Sequence, residues 1–155
     1  MADVILNTIS KRYNKSSLLA VDEVSFSVAK GELFGLIGPD GAGKTSIFRI
    51  LTTLLLPDSG SATVNGYDII KDYKTIRSKV GYMPGKFSLY QDLTVEENLD
   101  FFATVFNTSI EKNYELIKDI YVQIEPFKTR RAGKLSGGIK QKLALCCALI
   151  HKPNV

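Results

Sequence analysis

Eight consecutive residues, Gly38-Pro39-Asp40-Gly41-Ala42-Gly43-Lys44-Thr45, carry the strongest chemical signal in this sequence. They fit G-x-x-x-x-G-K-[ST], a loop that cradles phosphate groups. Glycines reach backbone dihedrals closed to other residues, so successive N–H groups can converge on an anion. A helix beginning there, with Ser46 in its first turn, adds unpaired N–H donors and the positive end of its dipole. Lys44 supplies a positive charge for the β- and γ-phosphates of a nucleotide, and Thr45 a hydroxyl ligand for Mg²⁺. The bland alternative is a chance glycine-rich turn, which the low general usage of glycine makes rare.

A second constellation lies near the other end of the chain: Leu135-Ser136-Gly137-Gly138-Ile139-Lys140-Gln141-Lys142. Two glycines at a helix start weaken the helix but let an anion approach the backbone. Taken alone, this stretch reads first as a flexible capped helix start. Tyr13 is an exposed aromatic without a role or a platform on which a flat ligand stacks. Cys146 and Cys147 are adjacent, a poor arrangement for a disulfide or a metal, and read as reduced, partly buried residues. The single histidine, His151, reads as a surface residue.

The elements that must hold these residues follow from periodicity. Asp3–Ile9 reads as a strand, Lys11-Arg12-Tyr13-Asn14 as a polar turn, and Val24, Phe26 and Val28 as one face of a second strand. Leu33–Ile37, apolar on both faces, predicts a strand covered by helices that feeds the glycine loop. Ile47, Ile50, Leu51, Leu54 and Leu55 predict a helix running to the breaker cluster Pro57-Asp58-Ser59-Gly60. Ser61–Val64 reads as a strand ended by the hairpin signal Asn65-Gly66. Asp72–Ser78 predicts a short helix and Lys79–Pro84 a buried strand. Thr94 and Glu97 have the spacing of a capping box, opening a helix with Leu99, Phe102, Ala103 and Phe106 inward. Ile117, Ile120, Tyr121 and Ile124 mark another helix, ended by Pro126. A last helix starts near Ser136 and carries Ile139, Leu143, a cysteine and Ile150 on one side.

The 155 residues predict one domain, 45% hydrophobic, with 20 basic and 16 acidic side chains and a net charge of +4. No apolar run reaches the ~18 residues of a membrane span, and the start of the chain lacks the pattern of a signal peptide. No basic block points to nucleic acid.

Together the pieces resemble the nucleotide-binding domain of an ABC transporter, over essentially the whole chain. Gly38–Thr45 is similar to the family's Walker A loop, and Leu135-Ser136-Gly137-Gly138 with Lys140-Gln141 to its signature. Gly81-Tyr82-Met83-Pro84, followed by Leu93-Thr94-Val95-Glu96-Glu97-Asn98-Leu99, resembles the passage from the core sheet into the helical subdomain. The form Gly-Pro-Asp-Gly-Ala-Gly-Lys resembles bacterial multidrug-type exporters.

The resemblance implies an α/β, P-loop NTPase fold: a mixed or parallel core sheet, an N-terminal antiparallel β subdomain and a helical subdomain, incomplete at the C-terminus. It implies one partial domain, with residues 1–85 as β subdomain and Walker A core, 86–134 as helical subdomain and 135–155 as signature helix. It implies ATP and Mg²⁺ as cofactors. Gly38, Pro39, Asp40, Gly41, Ala42, Gly43, Lys44, Thr45 and Ser46 hold the phosphates, Thr45 the metal, and Tyr13 stacks on adenine. Ser136, Gly137 and Gly138 act in trans, on the ATP of a second nucleotide-binding domain paired head to tail. The implied protein is the ATP-hydrolysing subunit of an exporter, seated on transmembrane permease subunits at the cytoplasmic face of the plasma membrane, without nucleic acid.

Three departures from the family pattern stand out. Gly85 occupies the position of the glutamine that senses Mg²⁺ and the membrane subunits, with Gln91 six residues on. The expected consequence is weaker Mg²⁺ ligation and coupling. The Walker B aspartate, the catalytic glutamate and the switch histidine do not occur in the sequence, so no catalytic residue is assigned and the chain by itself is expected to bind ATP weakly or not at all and to turn none over. The absent core strand also leaves Leu33–Ile37 and Val80–Met83 poorly covered. A non-hydrolysing remnant and a soluble ABC ATPase acting on ribosomes or DNA are the competing readings. The spacing of about ninety residues between Lys44 and Ser136 excludes the long coiled-coil insertions of the chromosome-associated type.

Overall fold

In the computed structural model, which describes residues 2–13 and 18–155, the chain divides into two compact units. One comprises Met1–Val80 with Val155, the other Gly81–Asn154. Asn14, part of the expected polar turn, lies outside the described residues.

The first unit is built on a four-stranded antiparallel sheet in the order β2-β1-β3-β4. Its strands are β1 (Ala2–Arg12), β2 (Leu19–Ala29), β3 (Ser59–Val64) and β4 (Tyr67–Asp68). β1 is central: Val4 pairs with Val28 on one side and Val64 on the other, and Leu6 with Phe26 and Ala62. The buried positions of β1 switch from even to odd, from Val4 and Leu6 to Ile9, across a register shift between Leu6 and Ile9. Because side chains alternate with period two, one inserted residue turns the rest of a strand over. Thr8, at φ 47, is that residue; its N–H donates to Ser25 Oγ at 2.7 Å. Gly60, at φ +87, faces it, and a Cβ there would collide with the carbonyl of Thr8. The Asn65-Gly66 signal is realised as a two-residue hairpin, with both residues at positive φ, joining β3 to β4.

Helices α1 (Lys44–Leu51) and α2 (Tyr73–Lys79) supply Ile47, Ile50 and Ile76 to a core shared with Val4, Leu6, Ile9, Val21, Ala62 and Val64. Four expectations are corrected here. β1 continues through Lys11 and Arg12 instead of turning after Ile9. α1 ends at Leu51, short of Leu54, which is exposed. Thr53 takes a left-handed φ of 61, held by Arg77, whose Nε donates to Thr53 Oγ1 and whose Nη2 donates to the Thr53 carbonyl, both at 2.8 Å. Leu33–Ile37 forms no strand: Leu33 and Ile37 are 101% and 99% exposed. Val80–Met83 forms none either. Both apolar runs lack a strand to pair with among the described residues, and an extended segment acquires a ladder only from a neighbour.

The second unit is helical: α3 (Val95–Val105), α4 (Ile110–Tyr121) and α5 (Gly137–Leu149), with short 3₁₀ turns at Glu125–Phe127 and Ala132–Lys134. Val95, Leu99, Ala103, Ile117, Tyr121, Ile124, Leu143 and Ile150 share one core. The helical segment and the signature helix, read separately in the sequence, are thus packed together. α4 ends at Tyr121, and Pro126 lies within the 3₁₀ turn beyond it. The capping box is complete: Thr94 Oγ1 accepts from Glu97 N–H at 3.2 Å, and Glu97 Oε2 accepts from Thr94 N–H at 2.7 Å. Cys146 and Cys147 are fully buried, not partly, and burial pushes the Cys146 thiol up to about 12 and Cys147 up as well. His151 is half-buried rather than a plain surface residue; its ring stacks on Phe106 at 3.8 Å between centroids.

Candidate functional site

Gly38–Gly43 forms an open loop between the unpaired Leu33–Ile37 run and α1, whose first residues are Lys44 and Thr45. Gly41 and Gly43 are at φ +84 and +82. Gly43 is the N-cap of α1 and offers no side-chain cap, so the first-turn N–H groups face outward without an internal acceptor. A Cβ on Gly43 would collide with the carbonyl oxygen of Ala20, which binds the loop closely to β2. Lys44 Nζ donates to the carbonyls of Gly38 and Pro39, each at 2.6 Å. The lysine therefore arches across its own loop, with its charge held over the ring of backbone groups.

Tyr13 joins the loop from the end of β1. Its hydroxyl lies 3.0 Å from Ser46 Oγ in the first turn of α1. Tyr13, Ala20 and residues 40–46 line a cleft of about 340 Å³, within the size range of small-ligand sites. Of the residues singled out in the sequence, Tyr13, Asp40, Gly41, Ala42, Gly43, Lys44, Thr45 and Ser46 are brought together here. Gly38 and Pro39 meet them through Lys44.

The cleft fits a chain of phosphates, with a cradle at Gly43 that a Cβ would destroy, an uncapped helix start and a lysine. Toward a divalent cation it offers the Thr45 hydroxyl. Among the described residues no group of three or more His, Cys, Asp or Glu is placed to hold a metal ion.

Ser136 caps α5, its Oγ 3.5 Å from the Ile139 N–H. Gly137 and Gly138 are exposed, with open space where a Cβ would stand. Lys140 turns back, donating to the Gly133 carbonyl at 3.1 Å and lying over the Phe87 ring. Gly85 lines a cleft of about 230 Å³ with Gly137 and Gln141. Gln91 does not reach that cleft; its carbonyl accepts from the Gly133 N–H at 2.8 Å.

Two positioning groups escape a reading of the sequence. Asp58, in the breaker cluster, accepts from Lys11 Nζ and from the Arg12 N–H, both at 2.7 Å, fixing the strand end that delivers Tyr13. The Lys11 ammonium and then the Arg12 N–H hold its carboxyl below the usual carboxylate range. Asn98 is fully buried, donating to the carbonyls of Tyr90 and Thr94 at 3.0 and 2.8 Å and accepting from the Tyr90 N–H at 3.1 Å. It fixes the loop that leads from Gly85 into α3. A lone asparagine on an apolar helix face, four residues after the cap, is the signal for it.

A phosphate cradle on an antiparallel-sheet unit, accompanied by a helical unit whose last helix begins Ser-Gly-Gly, defines an ABC-type nucleotide-binding cassette. The ABC transporter family profile matches residues 21–155, and the chain belongs to that family. Over 99% of its length it is 45% identical to the probable multidrug ABC transporter ATP-binding protein YbhF of Escherichia coli (strain K12), of which it spans 27%. It is 33% identical over 98% of its length to the ABC transporter ATP-binding protein NatA of Bacillus subtilis (strain 168), spanning 64% of that protein. Among solved structures, an ATP-binding subunit of an ABC transporter superposes with a TM-score of 0.84 at 28% identity, over 97% of this chain and 62% of the other. A dimeric bacterial ABC transporter cassette superposes at 0.83 with 24% identity, which bears on the fold alone. The fold is that of the P-loop NTPase cassettes, with the antiparallel sheet and the helices in place.

Proposed function

We propose that this chain supplies the nucleotide-binding part of an ABC transporter ATPase that couples ATP binding and hydrolysis to export. One observation carries the reading: the cleft in which Tyr13 and the loop around Lys44 face the same space. Gly38, Pro39, Asp40, Gly41, Ala42, Gly43, Lys44, Thr45 and Ser46 hold the phosphates, and Tyr13 carries the adenine ring. The uncapped α1 start and the Lys44 ammonium neutralise the triphosphate. Thr45 offers its hydroxyl to Mg²⁺, which when bound neutralises charge between the β- and γ-phosphates.

Ser136, Gly137 and Gly138 serve a second nucleotide, the one held by a paired cassette. Two cassettes arranged head to tail then bury two nucleotides, and the free energy of that closure differs between ATP and its products. The exposed Gly137 and Gly138 leave the start of α5 open to such a contact. The partners are a second nucleotide-binding domain and transmembrane permease subunits. The location is the cytoplasmic face of the plasma membrane. No helix among the described residues is long and apolar enough to cross a membrane. Gly85, with no side chain to reach a metal or a water, weakens Mg²⁺ ligation and coupling.

The 155-residue chain binds ATP weakly and turns none over; for turnover the described lining of the cleft offers a single carboxylate, Asp40 of the phosphate loop, and no other candidate for a general base. Titration of the chain with ATP, alongside an assay of phosphate release, tests both halves. The expected result is weak binding abolished by Lys44→Ala and release at background. Turnover that Lys44→Ala abolishes would sink the second half, and binding that survives Lys44→Ala would sink the first.

A further inference from the structure

Beyond Glu125 the sequence carries no Asp or Glu. Four basic residues of that stretch, Lys128, Arg130, Arg131 and Lys134, fall just before Ser136, and all four are exposed. Among the described residues none of the four forms an ion pair. Glu97 feels the charge of Arg131, but its Oε2 accepts from the Thr94 N–H at 2.7 Å.

The backbone that carries these cations is pinned. The carbonyls of Lys128 and Arg130 accept from the N–H groups of Glu96 and Val95, each at 3.1 Å. The N–H groups of Ala132 and Gly133 donate to the carbonyls of Leu93 and Gln91, each at 2.8 Å. The first turn of α3 therefore takes acceptors from this segment, which cannot swing away without orphaning helix donors. Lys140, from the first turn of α5, donates to the Gly133 carbonyl at 3.1 Å and keeps a further ammonium beside the segment.

Cations fixed close together without counter-charges set up a field that draws an anion in. A pinned backbone lowers the ordering cost of meeting it, and the guanidinium forks of two arginines match phosphate oxygens. The segment runs straight into Gly137 and Gly138, which are exposed and place no side chain in the way.

We propose that Lys128, Arg130, Arg131 and Lys134 form a fixed cationic surface that guides the polyphosphate of a nucleotide held by a second cassette toward Ser136, Gly137 and Gly138. This rests on the nucleotide reading of the cleft and adds to it an electrostatic guide outside the helix start. Its consequence is that anion binding at the start of α5 depends on charge in this segment and on ionic strength.

The test is an NMR titration of the 155-residue chain with inorganic tripolyphosphate. The amides of Gly41 and Gly43 report the phosphate loop, those of Arg131, Gly137 and Gly138 report the proposed surface, and spectral dispersion reports folding. Both sets should shift in wild type. Arg130→Gln/Arg131→Gln/Lys134→Gln should weaken binding at Gly137 and Gly138 about ten-fold, the sum of several exposed charge contacts. Arg130→Lys/Arg131→Lys, which keeps the charge, should stay within about two-fold, as should Lys71→Gln/Lys74→Gln/Lys112→Gln, which removes three exposed lysines elsewhere. Wild-type binding at Gly137 and Gly138 should also fall as salt rises from about 20 to about 300 mM. If the loop amides shift and the Gly137 and Gly138 amides do not, the proposal fails and the nucleotide reading stands. Equal weakening by the two Gln triple variants, or binding indifferent to salt, also overturns it. So does binding of phosphatidylserine vesicles that tripolyphosphate does not displace, which would make the surface membrane-facing. If the amides of Gly41 and Gly43 do not shift, the nucleotide reading fails and takes the proposal with it.

Discussion

Gly43 carries two requirements at one position. Its φ of +82 is strained for any L side chain, and the Ala20 carbonyl occupies the space a Cβ would fill. Gly43→Ala should therefore cost about 2–4 kcal/mol of stability, read as a lowered melting temperature, together with loss of ATP binding. Gly41, at φ +84 but with open space around it, separates the two causes. Gly41→Ala carries the dihedral strain alone and should cost about 1–2 kcal/mol. Equal losses at the two positions would show that the collision with β2 contributes nothing. Lys44 is a different case. Its two carbonyl partners are satisfied within the loop, so phosphate must compete for an ammonium already engaged, and charge is what lets it win. The loop could be read from the sequence residue by residue because its chemistry is local. The Tyr13–Ser46 contact could not, since it joins residues 33 positions apart.

Among the elements, α3 has the best-defined start. Glu97 is held below the usual carboxylate range, first by the Thr94 N–H and then by the Thr94 hydroxyl. A carboxylate with a depressed folded-state pKa stabilises the fold above its ordinary value of 4.5 and loses that contribution as pH falls through the lowered one. Acid unfolding should therefore begin below pH 4.5, and Glu97→Gln should flatten the acid limb when stability is followed by helix signal against pH. Thr94→Ala should lower stability by about 1 kcal/mol at neutral pH. A Thr94→Ala variant as stable as wild type would remove the cap from the account. The capping box, the Asn-Gly hairpin and the inward faces of α3, α4 and α5 were all legible, because each is written in residues within a few positions of one another. The end of α1 was not, because a left-handed Thr53 held by Arg77, 24 residues later, overrides the leucine periodicity. Nor was the fate of Leu33–Ile37, since apolar content marks a segment fit for a buried strand while the partner decides whether a ladder forms.

At the scale of the molecule, Leu33 and Ile37 are the largest departure from an ordinary surface. Nearly full exposure of two aliphatic side chains four residues apart adds nothing to the stability of this chain and invites self-association. The Leu33→Ser/Ile37→Ser variant should unfold within about 0.5 kcal/mol of wild type. It should also raise the concentration at which light scattering first detects oligomers. A large loss of stability would mean that the segment is packed in solution. The P-loop cassette fold was recognisable from motif order along the chain, while the shared core of the helical segment and the signature helix required coordinates.

The division into two cores bears on how the chain is made. Every buried apolar residue of the first core lies between Val4 and Ile76, and every one of the second between Val95 and Ile150. A ribosome delivers the chain from its N-terminus, so the buried residues that the sheet, the hairpin and both short helices contribute to the first core all emerge before the first helix of the second unit has been synthesised. The first unit can begin to condense while the second is still being translated. The order of synthesis then shields Leu6, Ile9 and Ile50 early, without waiting for any residue of the signature helix to emerge.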